Sequence, residues 1–138
     1  YNGYTDALKK YNDTTSVIFL EESLHGDKLK TARRLFTEKI IASLPDVIIT
    51  SNDLIAQGII SAAHENGINI PNDMQITGFD DSLSSAYFIP SVTTVSQNID
   101  KLAKRCFSML MDLINKKSAV SSIIEQNIIA RNSAKINI

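Results

Sequence analysis

The chain has 138 residues, 43% hydrophobic and 21% charged, which is the composition of a globular domain and excludes a disordered tail. With 14 Lys and Arg against 15 Asp and Glu, it lacks the basic excess of a free-standing nucleic-acid-binding domain. No apolar run approaches the ~20 residues of a membrane span. A single cysteine, Cys106, excludes an internal disulfide. The chain begins without Met or a signal peptide, so we expect a segment of a longer protein.

Apolar periodicity predicts alternating helices and strands along the chain. Helices are indicated by apolar residues three and four positions apart, and strands by short apolar runs rich in β-branched residues. The predicted helices cover residues 4–11, 29 to about 44, 53–66, 83–88 and 99–116. The predicted strands cover residues 16–20, 47–50, 75–79, 92–95 and 122–129.

Breakers separate these elements: Pro45 ends the second helix, and Gly67 is expected to cap the third in a left-handed conformation. Strands that are apolar without alternation are expected to be buried on both faces. The order therefore predicts an α/β fold, a parallel sheet covered by helices on both faces. Cys106 falls on the apolar stripe of the last long helix and is expected in the core.

Polar residues follow three of the predicted strands, where ligands bind in open α/β sheets. They are Glu21, Glu22 and Ser23, then Ser51, Asn52 and Asp53, then Asp80, Asp81 and Ser82. Such an edge accepts hydrogen bonds from hydroxyls or amines and would repel phosphate unless a cation intervened. Asn52 is also placed to cap the helix that follows it, and the two uses are compatible.

No catalytic signature is present: the sequence has no G-x-S-x-G elbow, P-loop or G-x-G-x-x-G. His25 and His64 lack partners at metal-ligand spacing, so we expect neither a metal site nor a cofactor. Asp80 and Asp81 could form an acid pair, but neighbours in an extended chain point to opposite faces. A Mg²⁺-dependent phosphoacceptor or enzyme using this pair is the less favoured alternative.

Five short segments occur in a fixed order between residues 45 and 97. They are Pro45-Asp46-Val47 with Ser51-Asn52-Asp53-Leu54-Ile55-Ala56-Gln57-Gly58, Gly67-Ile68 with Ile70-Pro71-Asn72-Asp73, Gly78-Phe79-Asp80-Asp81, Tyr87-Phe88-Ile89-Pro90, and Thr93-Thr94-Val95-Ser96-Gln97. Together they resemble the effector-binding region of the LacI/GalR family of bacterial transcription repressors, which has the type I periplasmic-binding-protein fold. Gly3-Tyr4 and Ala7-Leu8 extend the resemblance over most of the chain.

The resemblance implies an effector site. Asn52 and Asp80 would contact the effector through sugar hydroxyls. Gln97 would also belong to the effector site and would lie where the chain crosses to the other subdomain. Leu24 would occupy a place that an aromatic residue fills beside the ligand in several members, and Ile99 would occupy another.

The resemblance also implies a dimer. Tyr87 and Phe88, with Gln57 on the helix at 53–66, would lie at its interface. Residues 1–92 would form the C-terminal subdomain without its first strand and the start of its first helix. Residues 93–138 would form the crossover, with a helix and strand belonging mainly to the N-terminal subdomain.

We therefore expect the effector-binding and dimerisation segment of a cytoplasmic transcriptional regulator, a binding module and not an enzyme. Operator DNA would be bound through a headpiece that this chain does not contain. The first alternative is a solute-binding protein of the same fold that serves a sugar transporter.

Overall fold

A computed structural model describes residues 2–11 and 26–136 of the chain. The helices are α1 Asn2–Tyr11, α2 Lys28–Leu35, α3 Asp53–Glu65, α4 Leu83–Tyr87 and α5 Ile99–Ile114, and α2 continues through a π turn at Phe36–Ile40 and a 3-10 turn at Ile41–Ser43. The strands are β1 Val47–Ile49, β2 Gln75–Thr77, β3 Thr94–Ser96 and β4 Asn127–Ile129. Each predicted element has a counterpart except the strand at 16–20, which lies outside the described residues. The last strand is shorter than predicted, at Asn127–Ile129 instead of 122–129.

The strands pair in chain order. β1 is parallel to β2 with Ile48 opposite Ile76, and parallel bridges at Thr77–Thr93 and Asp80–Ser96 carry the pairing on to β3. β4 then runs antiparallel to β3. The α/β class with a parallel sheet is confirmed, and the carboxyl ends of β1 and β2 open at the same edge.

The core lies between α2, α3 and β2, where the fully buried side chains are aliphatic apart from Phe36 and Met74. The two helices approach so closely that a Cβ on Gly58 of α3 would lie 2.6 Å from the carbonyl oxygen of Leu29. At its far end α3 stops as the sequence predicts: Gly67 adopts φ +73, and the Ile68 N–H donates to Ala63. The closely packed helix α3 therefore supports the turn that precedes it.

Two expectations about burial are wrong. In β1, Ile48 packs on the core, but Ile49 on the opposite face is 64% exposed, because the described residues leave that face uncovered. In α5 the predicted apolar stripe exists, yet Leu110 on that stripe and the neighbouring Phe107 are 53% and 65% exposed. Cys106 lies at the surface instead of in the core. No described element packs along that stripe.

None of the helices in the described ranges has the length and apolarity needed to cross a membrane.

Candidate functional site

The turns that follow β1 and β2 are held together by backbone hydrogen bonds. The Thr50 N–H and hydroxyl both donate to the carbonyl of Thr77, at 3.0 and 2.9 Å. The Asp53 N–H donates to the carbonyl of Phe79 at 2.9 Å. Two of the three polar loops predicted at this edge therefore meet. The third, residues 21–23, and the predicted effector contact Leu24 lie outside the described residues.

Asn52 caps α3. Its backbone is extended and its Oδ1 accepts the Ile55 N–H at 3.0 Å, which satisfies one of the free donors at the helix start. Within the described part of the chain, the Nδ2 amide of Asn52 donates no hydrogen bond. The cap uses the oxygen only, so the amide N–H groups are available to a ligand oxygen.

Asp53 is the buried centre of the site and is 1% exposed. Its Oδ1 accepts the Thr94 hydroxyl at 2.6 Å and its Oδ2 accepts the Ser82 N–H at 2.7 Å. A Cβ on Gly78 would lie 2.2 Å from Oδ1, so only glycine leaves room for the carboxylate. The sequence analysis placed Asp53 among the polar residues of this edge but gave it no role of its own. The one available signal was Gly78, since a glycine next to a strand marks close approach of another group.

Asp80 and Asp81 have separate partners. Both have positive φ angles, 107° and 56°, which are uncommon for residues other than glycine. Asp80 is exposed, and its Oδ1 accepts the Gln97 Nε2 amide at 2.6 Å. Asp81 pairs with Arg131 at 2.6 Å. The two carboxylates bind different partners, but the backbone here is not extended, so the alternation of an extended chain is not the reason. Sequence reasoning missed Arg131.

An open depression of about 390 Å³ lies beside this turn. It is lined by Asp80, Asp81, Ser96, Asn98, Ile99, Asp100 and Lys101. Within residues 2–11 and 26–136, no three His, Cys, Asp or Glu side chains are grouped so that they could hold a metal ion. The depression offers carboxylate and hydroxyl oxygens with one nearby ammonium group, which suits a ligand that donates hydrogen bonds from hydroxyls or amines.

The three residues predicted at a dimer interface occupy different environments. Tyr87 of α4 is 79% exposed, whereas Phe88 is half-buried and packs against the core. Gln57 is only 4% exposed, and its Nε2 amide donates to the hydroxyls of Ser84 and Ser85 at 2.8 and 3.2 Å. Within this chain, then, Gln57 holds α4 in place, and Tyr87 is the member of the three that is free for a partner.

Residues 2–134 match the periplasmic binding protein-like domain family. The chain is 37% identical over 120 residues to the HTH-type transcriptional repressor PurR of Erwinia tasmaniensis, over 86% of this chain and 35% of that protein. A LacI-type transcription regulator from Bifidobacterium animalis subsp. lactis superposes with a TM-score of 0.80 at 25% identity, over 97% of this chain and 49% of that one. A periplasmic binding protein/LacI transcriptional regulator from Alkaliphilus metalliredigens, complexed with D-xylulofuranose, superposes with a TM-score of 0.80 at 25% identity, over 96% and 50%.

The chain therefore belongs to the periplasmic binding protein-like domain family. More narrowly, it corresponds to part of the effector-binding domain of a LacI-type transcriptional regulator, which confirms the resemblance that the motifs indicated. It spans about a third of the length of the curated relatives it matches.

Proposed function

We propose that this chain binds a small-molecule effector, a sugar, and dimerises, within a cytoplasmic regulator whose affinity for operator DNA the effector changes. The observation that carries this proposal is the meeting of two strand-end turns, which brings Asn52 and Asp80 to one edge with Gln97 beside them. The DNA itself would be bound by a headpiece outside this chain. The similarity to repressors supports a binding module over an enzyme.

The chemistry of the edge favours a sugar. Asp80 and Gln97 offer an oxygen that accepts from ligand hydroxyls and an amide that donates to them. The depression holds the carboxylates of Asp80 and Asp100 against the single ammonium of Lys101, because Asp81 is already paired with Arg131. This balance disfavours a phosphate group. The D-xylulofuranose bound by the structural relative from Alkaliphilus metalliredigens supports the same class of ligand.

We also propose the two subdomains expected from the sequence, residues 1–92 and 93–138, with one change that concerns residues 131–134. The exposed stripe of α5 supports its assignment to the N-terminal subdomain, whose surface would cover it. The tail at 131–134 instead returns to the sheet: Ser133 is buried, accepts the Ile76 N–H and donates to Ser91, both at 2.9 Å. The crossover at Gln97 would then be a hinge, and effector binding would bias two arrangements of the subdomains about it.

Calorimetry on the full-length regulator tests the site, with D-xylulose and a panel of other pentoses and hexoses as probes. Asn52→Ser keeps a capping oxygen but removes the amide donor, and Asp80→Ala removes the carboxylate. We expect either change to weaken the affinity for the bound sugar about tenfold or more, since an unpaired buried polar group costs ~1–3 kcal/mol. Asp46→Ala, an exposed acid just before β1 at the opposite end of the strand, is the matched control. Unchanged affinity in both site variants would contradict the assignment of Asn52 and Asp80 to the effector site.

A solute-binding protein for a sugar transporter is the second candidate, because the relative with bound D-xylulofuranose bears both descriptions. An effector-dependent gel shift with operator DNA separates the two, since a transport protein would not respond. The Mg²⁺ alternative is disfavoured by the Arg131 guanidinium, which pairs with Asp81, whereas Asp80 accepts a hydrogen bond from Gln97.

A further inference from the structure

We propose that Arg131 is a positioning residue of the effector site, which fixes the turn that carries Asp80. The inference rests on the proposed role of Asp80 in effector binding. Arg131 lies two residues after β4 and 50 residues along the chain from Asp81, yet its Nη2 reaches the Asp81 carboxylate at 2.6 Å. Its Nη1 donates to the carbonyl of Val92 at 2.9 Å. One planar guanidinium therefore joins the effector turn to the start of the neighbouring strand.

The backbone of Arg131 is fixed before its side chain reaches across. The buried Thr93 hydroxyl accepts the Arg131 N–H at 2.9 Å and donates to the Arg131 carbonyl at 3.0 Å. The side chains of Arg131 and Asp81 are 18% and 25% exposed, so solvent screens their ion pair less than it screens a surface pair. The guanidinium is thus a rigid anchor and not a mobile surface charge.

The turn needs such an anchor because of its backbone. Two consecutive residues other than glycine, Asp80 and Asp81, have positive φ angles. Residues in sparsely populated conformations persist only where surrounding contacts hold them, and they cluster at ligand sites. Asp80 is held by its N–H bond to Val95 and by Gln97, the residue proposed to share the ligand. The ion pair with Arg131 holds Asp81 from outside the ligand edge, so Asp80 keeps its direction when the site is empty.

Hydrogen exchange of the full-length protein without effector tests this role. In Arg131→Met, we expect amide exchange across residues 78–85 to rise about tenfold, because a charge-assisted hydrogen bond no longer opposes local opening. Exchange of the α3 amides, which reports opening of the core, should stay unchanged. Arg33→Met is the matched control: it breaks the exposed pair with Glu65, whose oxygens lie 2.6 and 2.7 Å from Arg33, and should leave residues 78–85 unaffected.

An equal rise in residues 78–85 and in α3 would mean that Arg131 only stabilises the fold, and would overturn the proposal. No rise at residues 78–85 would overturn it as well. If Arg131→Met does not fold, Arg131→Lys provides the test. Lysine keeps the positive charge but lacks the two guanidinium N–H groups that bind Asp81 and the Val92 carbonyl at the same time. In that variant we expect amide exchange at residues 78–85 to rise several-fold while exchange in α3 stays unchanged. An equal rise in α3, or no rise at residues 78–85, would contradict the proposal. Because no sugar is present, this result stands apart from the calorimetry that tests Asp80.

Discussion

Helix α3 and helices α4 and α5 all carry apolar side chains, but those of α3 are buried and those of α4 and α5 are largely exposed. In α3, nine of 13 residues are buried, whereas none of the 16 residues of α5 is buried in the described chain. Tyr87 on α4 is likewise exposed. An apolar stripe thus shows that a helix has a partner, but the stripe does not say whether that partner lies in the same stretch of chain.

The largest effect is expected at α4. Tyr87→Asp should convert the full-length regulator from dimer to monomer, because a two-fold axis places the new carboxylate in the interface twice. Operator affinity should fall with it, since paired headpieces bind paired half-sites. Sedimentation velocity measures the assembly state.

Tyr11→Asp, at the end of α1, is the matched control, because Tyr11 is also exposed. A folded monomer for Tyr87→Asp supports the interface. An intact dimer refutes it, and an unfolded protein would mean that Tyr87 packs into its own subdomain.

The second prediction compares two phenylalanines in the full-length protein. Phe36→Ala should lower the free energy of unfolding by ~3–5 kcal/mol, because its fully buried ring would leave a cavity against α3. Phe107→Ala on α5 should cost ~2 kcal/mol or more if the other subdomain covers the stripe. Urea unfolding of both variants measures the difference. A cost within about 0.5 kcal/mol for Phe107→Ala would show a solvated stripe and would contradict the proposed packing of α5.

A third, smaller effect concerns the close approach of α2 and α3. Gly58→Ala should destabilise the fold by ~1–3 kcal/mol, although alanine is ordinarily the better helix former by about 1 kcal/mol. The new Cβ would lie 2.6 Å from the Leu29 carbonyl oxygen and 2.9 Å from the Cβ of Ala32. Thermal unfolding monitored by circular dichroism measures the change, with His64→Ala on the exposed side of α3 as control. A more stable Gly58→Ala protein would show that the helices separate easily.

The smallest effect is expected at the surface pair between α2 and α3. Arg33→Ala should lower the free energy of unfolding by ~1 kcal/mol or less, because both partners are substantially exposed. The loss should shrink further in 1 M salt, where exposed charges are screened. Urea titrations at two salt concentrations measure it. A loss above 2 kcal/mol that persists in salt would place this pair among the core contacts of α3.

Sequence reasoning predicted the elements well because their signals are local. The cap at Asn52, the stop at Gly67 and the apolar runs each act within a few residues. Burial was predicted less well, because it depends on which surface meets the stripe. Cys106 occupies the expected position on its helix and still lies at the surface.

The candidate site shows the same contrast between features set by nearby residues and features set by distant ones. That the turns carrying Asn52 and Asp80 meet was predictable, because the residues that follow parallel strands lie at one edge of the sheet. The contacts that hold these turns in place could not be predicted. Arg131 reaches Asp81 across 50 residues of sequence, and the buried hydrogen bond from Thr94 to Asp53 spans 41. No pattern in a single sequence connects residues so far apart.

The room that Gly78 leaves for Asp53 limits how the proposed effector site can be changed. A directed-evolution library aimed at a new effector should randomise positions 52, 80 and 97, which we propose to contact the ligand. Codons 53 and 78 should stay fixed, because a Cβ at position 78 would overlap the Asp53 carboxylate. Members that change codon 78 would drop out of a screen through loss of folded protein, whatever inducer was supplied.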